Sequence, residues 1–443
     1  MMASPGATGA PSPTGGPGSR GSRVVLQRHR WLVLAVLVFI NVLAYADRSM
    51  LTAFAPQITA ELALTNTQYG ILTGPVWVFA FGGMAMLFGS LADRHSRPLI
   101  IACGMVIWSA CTVASGWAHG FGQMVAARFL VASGEAALVP AATAIIAEVF
   151  DERRRGTVNG LFFFGLPLGI GCAYLVSGTI GEVLGWRNTY YLLGAIGIAI
   201  ALPIAFVPDE RTRDHPEEYG EPFLRQVRAL VGELAVRPAV WMVIAGFVFA
   251  HVVFAQNPYV PLWLVRERGA DAVHIAREIG VLQIVFGGLG AIVGGLVGDR
   301  FAARLPGGHA TFPVLSLAVC VPLMMASRLV SPDNPLFHAG LAANFFLPFS
   351  LYACTIAVLQ GALPERMRAT GVGFTMMCNN FLAIAVGTFA VGAISDRLAA
   401  TGHAAPLGTV LLGTDLVAGL AIALYVGAAV LHRRTRTPAR SAG

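Results

Sequence analysis

The sequence contains little charge and no lysine. Asp, Glu, Lys and Arg account for 12% of its 443 residues, whereas soluble domains carry about 25%. All 30 basic residues are arginine, and hydrophobic residues account for 56% of the chain. A net charge of +7 would suggest nucleic-acid binding in a soluble protein, but here the arginines lie mostly in short turns between apolar runs. The composition therefore predicts an integral membrane protein with no nucleic-acid partner.

Motifs of catalysis and of metal binding are also absent from the sequence. It contains no Gly-x-Ser-x-Gly, no His-Glu-x-x-His and no phosphate-binding glycine loop. Its six cysteines lie in apolar runs without the spacing of metal ligands or of a disulfide framework, which predicts packing roles. We therefore expect no enzyme activity, no metal and no cofactor. The first 22 residues lack the apolar core of a signal peptide and predict a disordered tail.

Twelve apolar runs are long enough to cross a bilayer as helices, since a span needs about 20 apolar residues. They lie at 31–55, 67–91, 98–117, 121–149, 157–180, 188–207, 239–264, 273–298, 310–328, 335–361, 369–395 and 406–431. The runs predict an all-α membrane protein of two six-helix bundles, at 29–207 and 238–432, between cytoplasmic tails at 1–28 and 433–443. The linker 208–237 has apolar residues at helical spacing from Phe223 to Leu234, typical of a surface-lying amphipathic helix or of a simple connector.

The distribution of arginine predicts the orientation of the chain. The two tails and the even-numbered loops hold 22 arginines, whereas the odd-numbered loops hold six, Arg328 among them. Because cytoplasmic loops retain positive charge, both termini are predicted to be cytoplasmic.

Two motifs recur in the two halves, as expected for a transporter built from parallel repeats. The sequence GSLADR (89–94) closes the second run, and GLVGDR (295–300) closes the eighth. The sequences ERRRGT (152–157) and ERMRAT (365–370) follow the fourth and tenth runs. A weaker third copy of the first motif, GAISDR (392–397), ends the eleventh run.

The first of these motifs resembles the loop signature of the major facilitator superfamily. Its Gly, Asp and Arg positions match, while Ser96 and Pro98 depart from the Gly and the basic residue that the family prefers. Within that superfamily the chain most resembles the Spinster-like transporters, through YADR (45–48), IWS (107–109), RFLVASGEA (128–136), PLG (167–169) and MRAT (367–370). The anion:cation symporters share part of this pattern. The resemblance implies the major facilitator fold.

Only four charged residues are identified inside the predicted spans: Asp47 and Arg48 in the first, and Arg128 and Glu135 in the fourth. Seven residues separate Arg128 from Glu135, so both can face one cavity. Intramembrane charges are expensive and usually functional. The four residues predict either a static brace or a proton-coupling site, and in Spinster-like transporters the residue corresponding to Asp47 is understood to sense protons. Arg48 and Arg128 can alternatively bind an anionic headgroup.

The second half is predicted to have no comparable acid–base cluster and a more apolar cavity. Its candidate substrate contacts are His251, Gln256, Asn257, Asn379 and Asn380, although polar residues in spans often serve only as interhelical hydrogen bonds. The repeated motifs supply candidate gating residues, which can instead be plain topology signals. These are Asp93, Arg94, Arg97, Asp299 and Arg300.

Together these features predict a monomeric, proton-coupled, alternating-access transporter in a bacterial inner membrane. If the Spinster resemblance holds, its substrate is an amphipathic anionic lipid such as a lysophospholipid or sphingoid phosphate. The alternative substrate is a small organic anion, as in the anion:cation symporters. A membrane-embedded enzyme would need a nucleophile–base set or a metal site, and a non-transporting receptor of the same fold would show no flux.

Overall fold

Twelve membrane-length helices form the body of the protein. The computed structural model describes residues 29–207, 232, 237–304, 308–364 and 367–436. We number the spans 1 to 12 in chain order: Arg30–Ala53, Asn66–Gly89, Arg97–Gly116, Phe121–Val149, Glu152–Gly178, Ile180–Ala205, Pro238–Arg266, Ala272–Arg300, Gly308–Leu329, Pro335–Gly361, Thr370–Ala400 and Pro406–Leu431. The predicted count is confirmed. The tail 1–28, nearly all of the linker with its amphipathic segment, and residues 437–443 lie outside the described residues.

Polar caps and prolines set several helix ends. Span 2 begins with a capping box, in which the Thr65 hydroxyl accepts from the Gln68 amide and the Gln68 side chain accepts from the Thr65 amide, both at 3.1 Å. Asp271 caps span 8 through a 2.8 Å bond from the His274 amide. Span 6 begins eight residues before its predicted start. The difference reflects a break at Gly185, whose φ of 74° separates a short first turn from the long apolar segment.

Several spans are interrupted near their middle. Span 4 consists of the helices Phe121–Glu135 and Leu138–Val149, and span 7 is broken after Ala250 and again at Asn257–Tyr259, which forms a 3₁₀ turn. Spans 8 and 11 contain π-helical segments at Gln283–Gly287 and Asn379–Val386. Such irregular segments are frequent at functional sites, because they free backbone groups and re-aim side chains.

The two bundles share an apolar core at one end of the molecule. We call the end that carries the odd-numbered loops the odd-loop face, and the end that carries the chain termini the even-loop face. The shared core contains large buried side chains from both halves, including Phe54, Tyr69 and Tyr190 from the first and Tyr259 and Trp263 from the second. Each bundle also has a core of its own, towards which residues such as Trp108 and Phe247 point.

Hydrogen bonds join the bundles at the odd-loop face. The Asp396 carboxylate at the end of span 11 accepts from the amides of Asn66 and Thr67 at 3.0 and 2.8 Å and from the Thr67 hydroxyl at 2.6 Å. The Tyr259 hydroxyl lies 3.0 Å from the Asn66 carbonyl and 2.8 Å from that of Thr388, so it bridges spans 2 and 11. We call Asn66, Thr67, Tyr259 and Asp396 the odd-face latch. Its charge also compensates the positive end of the span 2 dipole.

Along span 2, the contact with the second bundle runs from the odd-loop end to about the middle of the helix, where the ring of Phe79 meets that of Phe381. At its odd-loop end, Gly70 and Gly74 pack so tightly against Tyr259 and Thr388 that neither position has room for a Cβ. At its even-loop end, a Cβ on Gly82, Gly83 or Gly89 would meet no described heavy atom within 4 Å. The bundles therefore meet along span 2 at the odd-loop face and separate towards the even-loop face.

Candidate functional site

A central cavity of about 490 Å³ lies between the two bundles. Its wall includes apolar and aromatic side chains from both halves, and this volume falls within the range of small-molecule sites. The polar and aromatic lining residues are Asn41, Tyr45, Arg48, Ser49, Thr52, Thr73, Trp77, Phe81, Arg128, Glu135, Phe163, Tyr174, Phe254, Asn257, Gln283, Phe345, Tyr352, Asn380 and Thr388. The odd-face latch closes the space on one side.

Arg128 and Asp47 form an ion pair between spans 4 and 1. The Arg128 Nη1 atom lies 3.4 Å from Asp47 Oδ1, and both side chains are almost fully buried. The Thr112 hydroxyl of span 3 donates to the other carboxylate oxygen. Arg128 also donates to the backbone carbonyls of Asp47 and Arg48, at 3.1 and 3.0 Å. Arg128 is thus anchored to span 1 by its charge and by two backbone contacts.

Arg48 occupies a different environment from Arg128. Its guanidinium carbon lies 3.4 Å from the centroid of the Trp77 ring, a cation–π contact, and it lines the cavity. The Trp77 indole donates to Glu135 Oε2 at 3.2 Å, which links span 2 to span 4. Within the described part of the chain, the Arg48 side chain has no hydrogen-bond or ion-pair partner, and the buried Glu135 Oε1 atom has none either. A cation and a carboxylate with unused bonding capacity therefore face the cavity together.

The four predicted charged residues thus lie close together on spans 1 and 4. Trp77 of span 2 and Thr112 of span 3 bond to the two acids. Arg128 and Glu135, seven residues apart, both line the cavity as expected from helical spacing, and the helix of span 4 ends at Glu135. Asp47 is 2% exposed and lies behind Arg128 rather than in the wall. Trp77 was not predicted from the sequence, because it is one of several aromatic residues in its apolar run, with Phe79 and Phe81 close by.

The predicted second-half residues separate into two groups. Asn257, in the span 7 turn, and Asn380, in the span 11 π segment, line the cavity together with Gln283 of the span 8 π segment. His251, Gln256 and Asn379 are completely buried and do not reach the wall. The ring of His251 packs against aromatic neighbours, and its Nδ1 atom lies 2.8 Å from the Phe247 carbonyl. Asn379 has no hydrogen-bond partner among the described residues.

The expectation that the second half holds no acid–base cluster is wrong. Arg328 of span 9 and Asp415 of span 12 form an ion pair at 3.2 Å, with side chains 1% and 0% exposed. Gln256 donates to Asp415 at 2.6 Å, and Arg328 Nη2 lies 3.3 Å from the Asn344 amide oxygen. The count of four intramembrane charges was therefore too low. Arg328 was assigned to a loop because it lies at the end of its apolar run, whereas Asp415 inside the twelfth run was a visible signal.

The predicted gating residues make no described contact between the bundles. Arg97 is buried and pairs with Glu148 at 2.8 Å, so it joins spans 3 and 4 within the first bundle. Asp299 is exposed and lies 3.2 Å from His309 Nε2 within the second bundle, and Arg300 is exposed. The side chains of Asp93 and Arg94 lie outside the described residues. Asp396, in the third copy of the motif, does contact the other bundle, through the amides of Asn66 and Thr67.

Similarity to known proteins agrees with this architecture. The model of the Major Facilitator Superfamily matches residues 37–388. The chain belongs to the Major Facilitator Superfamily. An "MFS-type efflux pump" of Mycolicibacterium smegmatis is 27% identical over 87% of this chain and 89% of its own length. "Sphingosine-1-phosphate transporter SPNS2" of Xenopus tropicalis is 26% identical over 81% of this chain and 72% of its own, and Spinster proteins of other animals are also among the relatives.

A solved structure shows the same fold. It is that of a bacterial homologue of the human lysosomal transporter Spinster in an inward-facing and unoccupied conformation. The TM-score is 0.80 at 23% identity, over 93% of this chain and 99% of the other. The resemblance to Spinster-like transporters is confirmed, and the chain is a multi-pass membrane transporter rather than an enzyme. Among the described residues, no group of three or more His, Cys, Asp or Glu side chains could hold a metal ion.

Proposed function

We propose that this transporter moves an amphipathic anionic lipid, such as a lysophospholipid or sphingoid phosphate, in exchange with or together with protons. The observation that carries the proposal is the position of Arg48, a cation with no described ion-pair partner on the wall of a largely apolar cavity. An anionic headgroup would satisfy the guanidinium, and an acyl chain would cover apolar wall residues such as Phe254, Phe345 and Ile384. The name of the SPNS2 relative agrees with this class of substrate.

Proton coupling in this proposal depends on the two acids of the first bundle. Glu135 faces the cavity beside Arg48, and Asp47 is bonded to Arg128. A deprotonated Glu135 compensates part of the positive charge of Arg48 and so weakens its attraction for an anionic substrate. A protonated Glu135 does not. Protonation of Asp47 would remove the charge of its ion pair with Arg128 and so weaken the attachment of Arg128 to span 1. A proton can thus change which state is favoured, which is the requirement for coupling.

The proposed orientation places the even-loop face and both termini in the cytoplasm of a bacterial cell, with the protein monomeric in the inner membrane. The arginine asymmetry supports this orientation, although Arg328 is buried in span 9 and leaves five arginines rather than six for the odd-numbered loops. Since the bundles contact one another at the odd-loop face, this structure would then be an inward-facing state, as in the solved homologue.

Uptake by proteoliposomes under a pH gradient tests the proposal. Lysophosphatidic acid and sphingosine phosphate should be transported faster with the gradient than without it, and small organic acids should not. Arg48→Gln should reduce lysolipid flux at least tenfold, whereas Arg153→Gln, which removes an exposed charge at the even-loop face, should change it less than twofold. Transport of the small acids alone would favour the symporter alternative, and no flux of either class would favour a receptor.

A further inference from the structure

A buried polar network in the second bundle connects the central cavity to the odd-face latch. Its first link is Asn257, which lines the cavity and accepts a 2.7 Å hydrogen bond from the Asn344 amide. Asn344 in turn accepts from Gln256 at 3.2 Å and from Arg328 at 3.3 Å. Arg328 pairs with Asp415, to which Gln256 also donates. Four spans, 7, 9, 10 and 12, thus meet behind a single cavity-facing amide.

The same short turn carries both the cavity contact and the latch. Residues Asn257–Tyr259 form one 3₁₀ turn. The Asn257 side chain faces the cavity, the Pro258 carbonyl accepts from Tyr69 of the first bundle at 3.0 Å, and the Tyr259 hydroxyl bonds spans 2 and 11. A displacement of Asn257 therefore moves the two residues that connect the bundles.

One hydrogen-bond donor of the network has no partner within the described ranges. Arg328 Nη1 is buried and has no hydrogen-bond partner among the described residues. The guanidinium carbon of Arg328 also lies 4.8 Å from the centroid of the Trp263 ring, a cation–π contact. An unused donor next to Asn344 and Asp415 allows the guanidinium to exchange partners when Asn257 is engaged by another ligand.

We propose that Arg328, Asp415 and Asn344 are positioning residues for transport: they hold the span 7 turn so that occupancy of the cavity at Asn257 shifts the odd-face latch at Tyr259. The inference rests on the proposed function in taking the ligand at Asn257 to be the substrate, but its link to the latch does not depend on which substrate is transported. None of the three positioning residues contacts the cavity, so they act through Asn257.

The test compares Asn344→Ala with Ser350→Ala. Ser350 is a buried polar residue of the same span whose hydroxyl, among the described residues, bonds only to the Leu347 carbonyl of its own helix. Two quantities are measured for each variant. One is the rate at which an impermeant thiol reagent labels Val391→Cys, a position buried in the shared odd-loop core, in a background without the native cysteines. The other is the Kd for sphingosine phosphate.

Asn344→Ala should raise the labelling rate at least fivefold and weaken binding at least fivefold, the lower end of typical allosteric coupling, while Ser350→Ala changes neither by more than twofold. Equal behaviour of the two variants would overturn the proposal and leave a structural brace. If the Ala variant does not fold, Asn344→Leu, of similar volume, gives the same comparison. If the wild type binds no sphingosine phosphate but Asn344→Ala still changes labelling, the proposed substrate fails and the link to the latch stands.

Discussion

At the scale of single residues, the two acids of the first bundle have unlike surroundings. Asp47 is enclosed by Arg128 and Thr112, whereas Glu135 keeps one oxygen without a described partner and faces the cavity beside Arg48. A carboxylate held by a fixed cation and one that faces a ligand site respond differently to neutralisation. The difference gives two separate predictions.

Asp47→Asn is expected to abolish transport driven by the proton gradient while substrate binding is retained. The amide preserves shape and hydrogen bonding but removes the charge that can bind a proton. Arg128 keeps its bonds to two backbone carbonyls, so the buried cation is not wholly unsupported, although thermal stability should fall because its charge partner is lost. Gradient-driven flux should equal that of empty vesicles, and the Kd should change less than about threefold.

The control for that variant is Asp271→Asn, since asparagine serves as well as aspartate at a helix N-cap. It should leave both flux and binding unchanged. A full response of Asp47→Asn to the gradient would assign coupling to Glu135 alone.

Glu135→Gln is expected to strengthen the binding of an anionic lysolipid and to remove its dependence on pH. In the wild type, lower pH neutralises Glu135 and leaves Arg48 uncompensated for the anion, so affinity rises as pH falls. The glutamine variant corresponds to the protonated state at every pH. Titrations between about pH 5 and 8 with lysophosphatidylglycerol, whose phosphodiester keeps a single negative charge over this range, should give a sloping curve for the wild type and a flat, tight curve for the variant. A slope that persists in the variant would contradict the assignment.

The sequence predicted this cluster more completely than it predicted the one in the second bundle. Asp47, Arg48, Arg128 and Glu135 lie well inside long apolar runs, where a charge is conspicuous. Arg328 is the penultimate residue of its helix, in the position of an ordinary loop arginine, and only the packing of span 9 against span 12 shows its partner. Nothing in the spacing of residues 328 and 415 relates them, because the contact is tertiary.

At the scale of elements, the latch depends on a helix end that is capped from the opposite bundle. Two amides and one hydroxyl of span 2 bond to Asp396 of span 11. Most N-caps, like Asp271 before span 8, come from the preceding residue of the same helix. A cap supplied across the interface is lost whenever the bundles part, so its strength contributes directly to the balance between states.

Asp396→Ala is expected to shift the population towards a state open at the odd-loop face. The variant removes three hydrogen bonds to a charged acceptor, each worth about 1.5–3 kcal/mol where fully formed. Thiol labelling of Val391→Cys should accelerate at least tenfold. Asp271→Ala is the matched control, since it removes a cap of the same chemistry within one bundle and should leave the labelling rate unchanged. Similar rates in the two variants would show that Asp396 only stabilises the end of span 2.

Span boundaries show what the sequence could and could not define among the elements. Most of the predicted runs agree with the helices within a few residues, because apolar length is a strong signal. The breaks in spans 4, 7, 8 and 11 were not predicted, although Pro258 marks one of them. The π segments carry no proline and arise from how the helices pack around the cavity, which no local pattern encodes.

At the scale of the whole molecule, the bundles are arranged as the repeated motifs indicated, but the state they adopt was not predictable. Sequence repeats specify the two halves, whereas the state depends on a small free-energy difference between two sets of contacts. The even-loop motifs containing Asp93 and Asp299 were expected to join the bundles. In this state the described contacts between the bundles lie at the opposite face and in the middle of the spans, and the side chain of Asp93 lies outside the described residues. The gating role of these motifs therefore stays a prediction.

Both termini are expected to be cytoplasmic. Reporter tags at the two ends should be inaccessible to impermeant reagents in intact cells and accessible after permeabilisation, because the arginine-rich loops are retained inside. A tag in the loop between spans 1 and 2, near Ala63, provides the opposite control and should be accessible from outside. Accessibility of either end in intact cells would overturn the orientation and the proposed inward-facing assignment together.

The apolar core shared by the two halves should make the equilibrium between the transport states depend on temperature. In a state open at the odd-loop face, interfacial side chains such as Tyr69 and Tyr259, whose ring centroids lie 5.4 Å apart across the two bundles, would become hydrated. Hydration of apolar surface raises the heat capacity of the odd-open state. The hydrophobic stabilisation of the odd-closed state weakens on cooling. The equilibrium between states should therefore follow a curved van 't Hoff plot, with chilled protein occupying the odd-open form more often than warm protein.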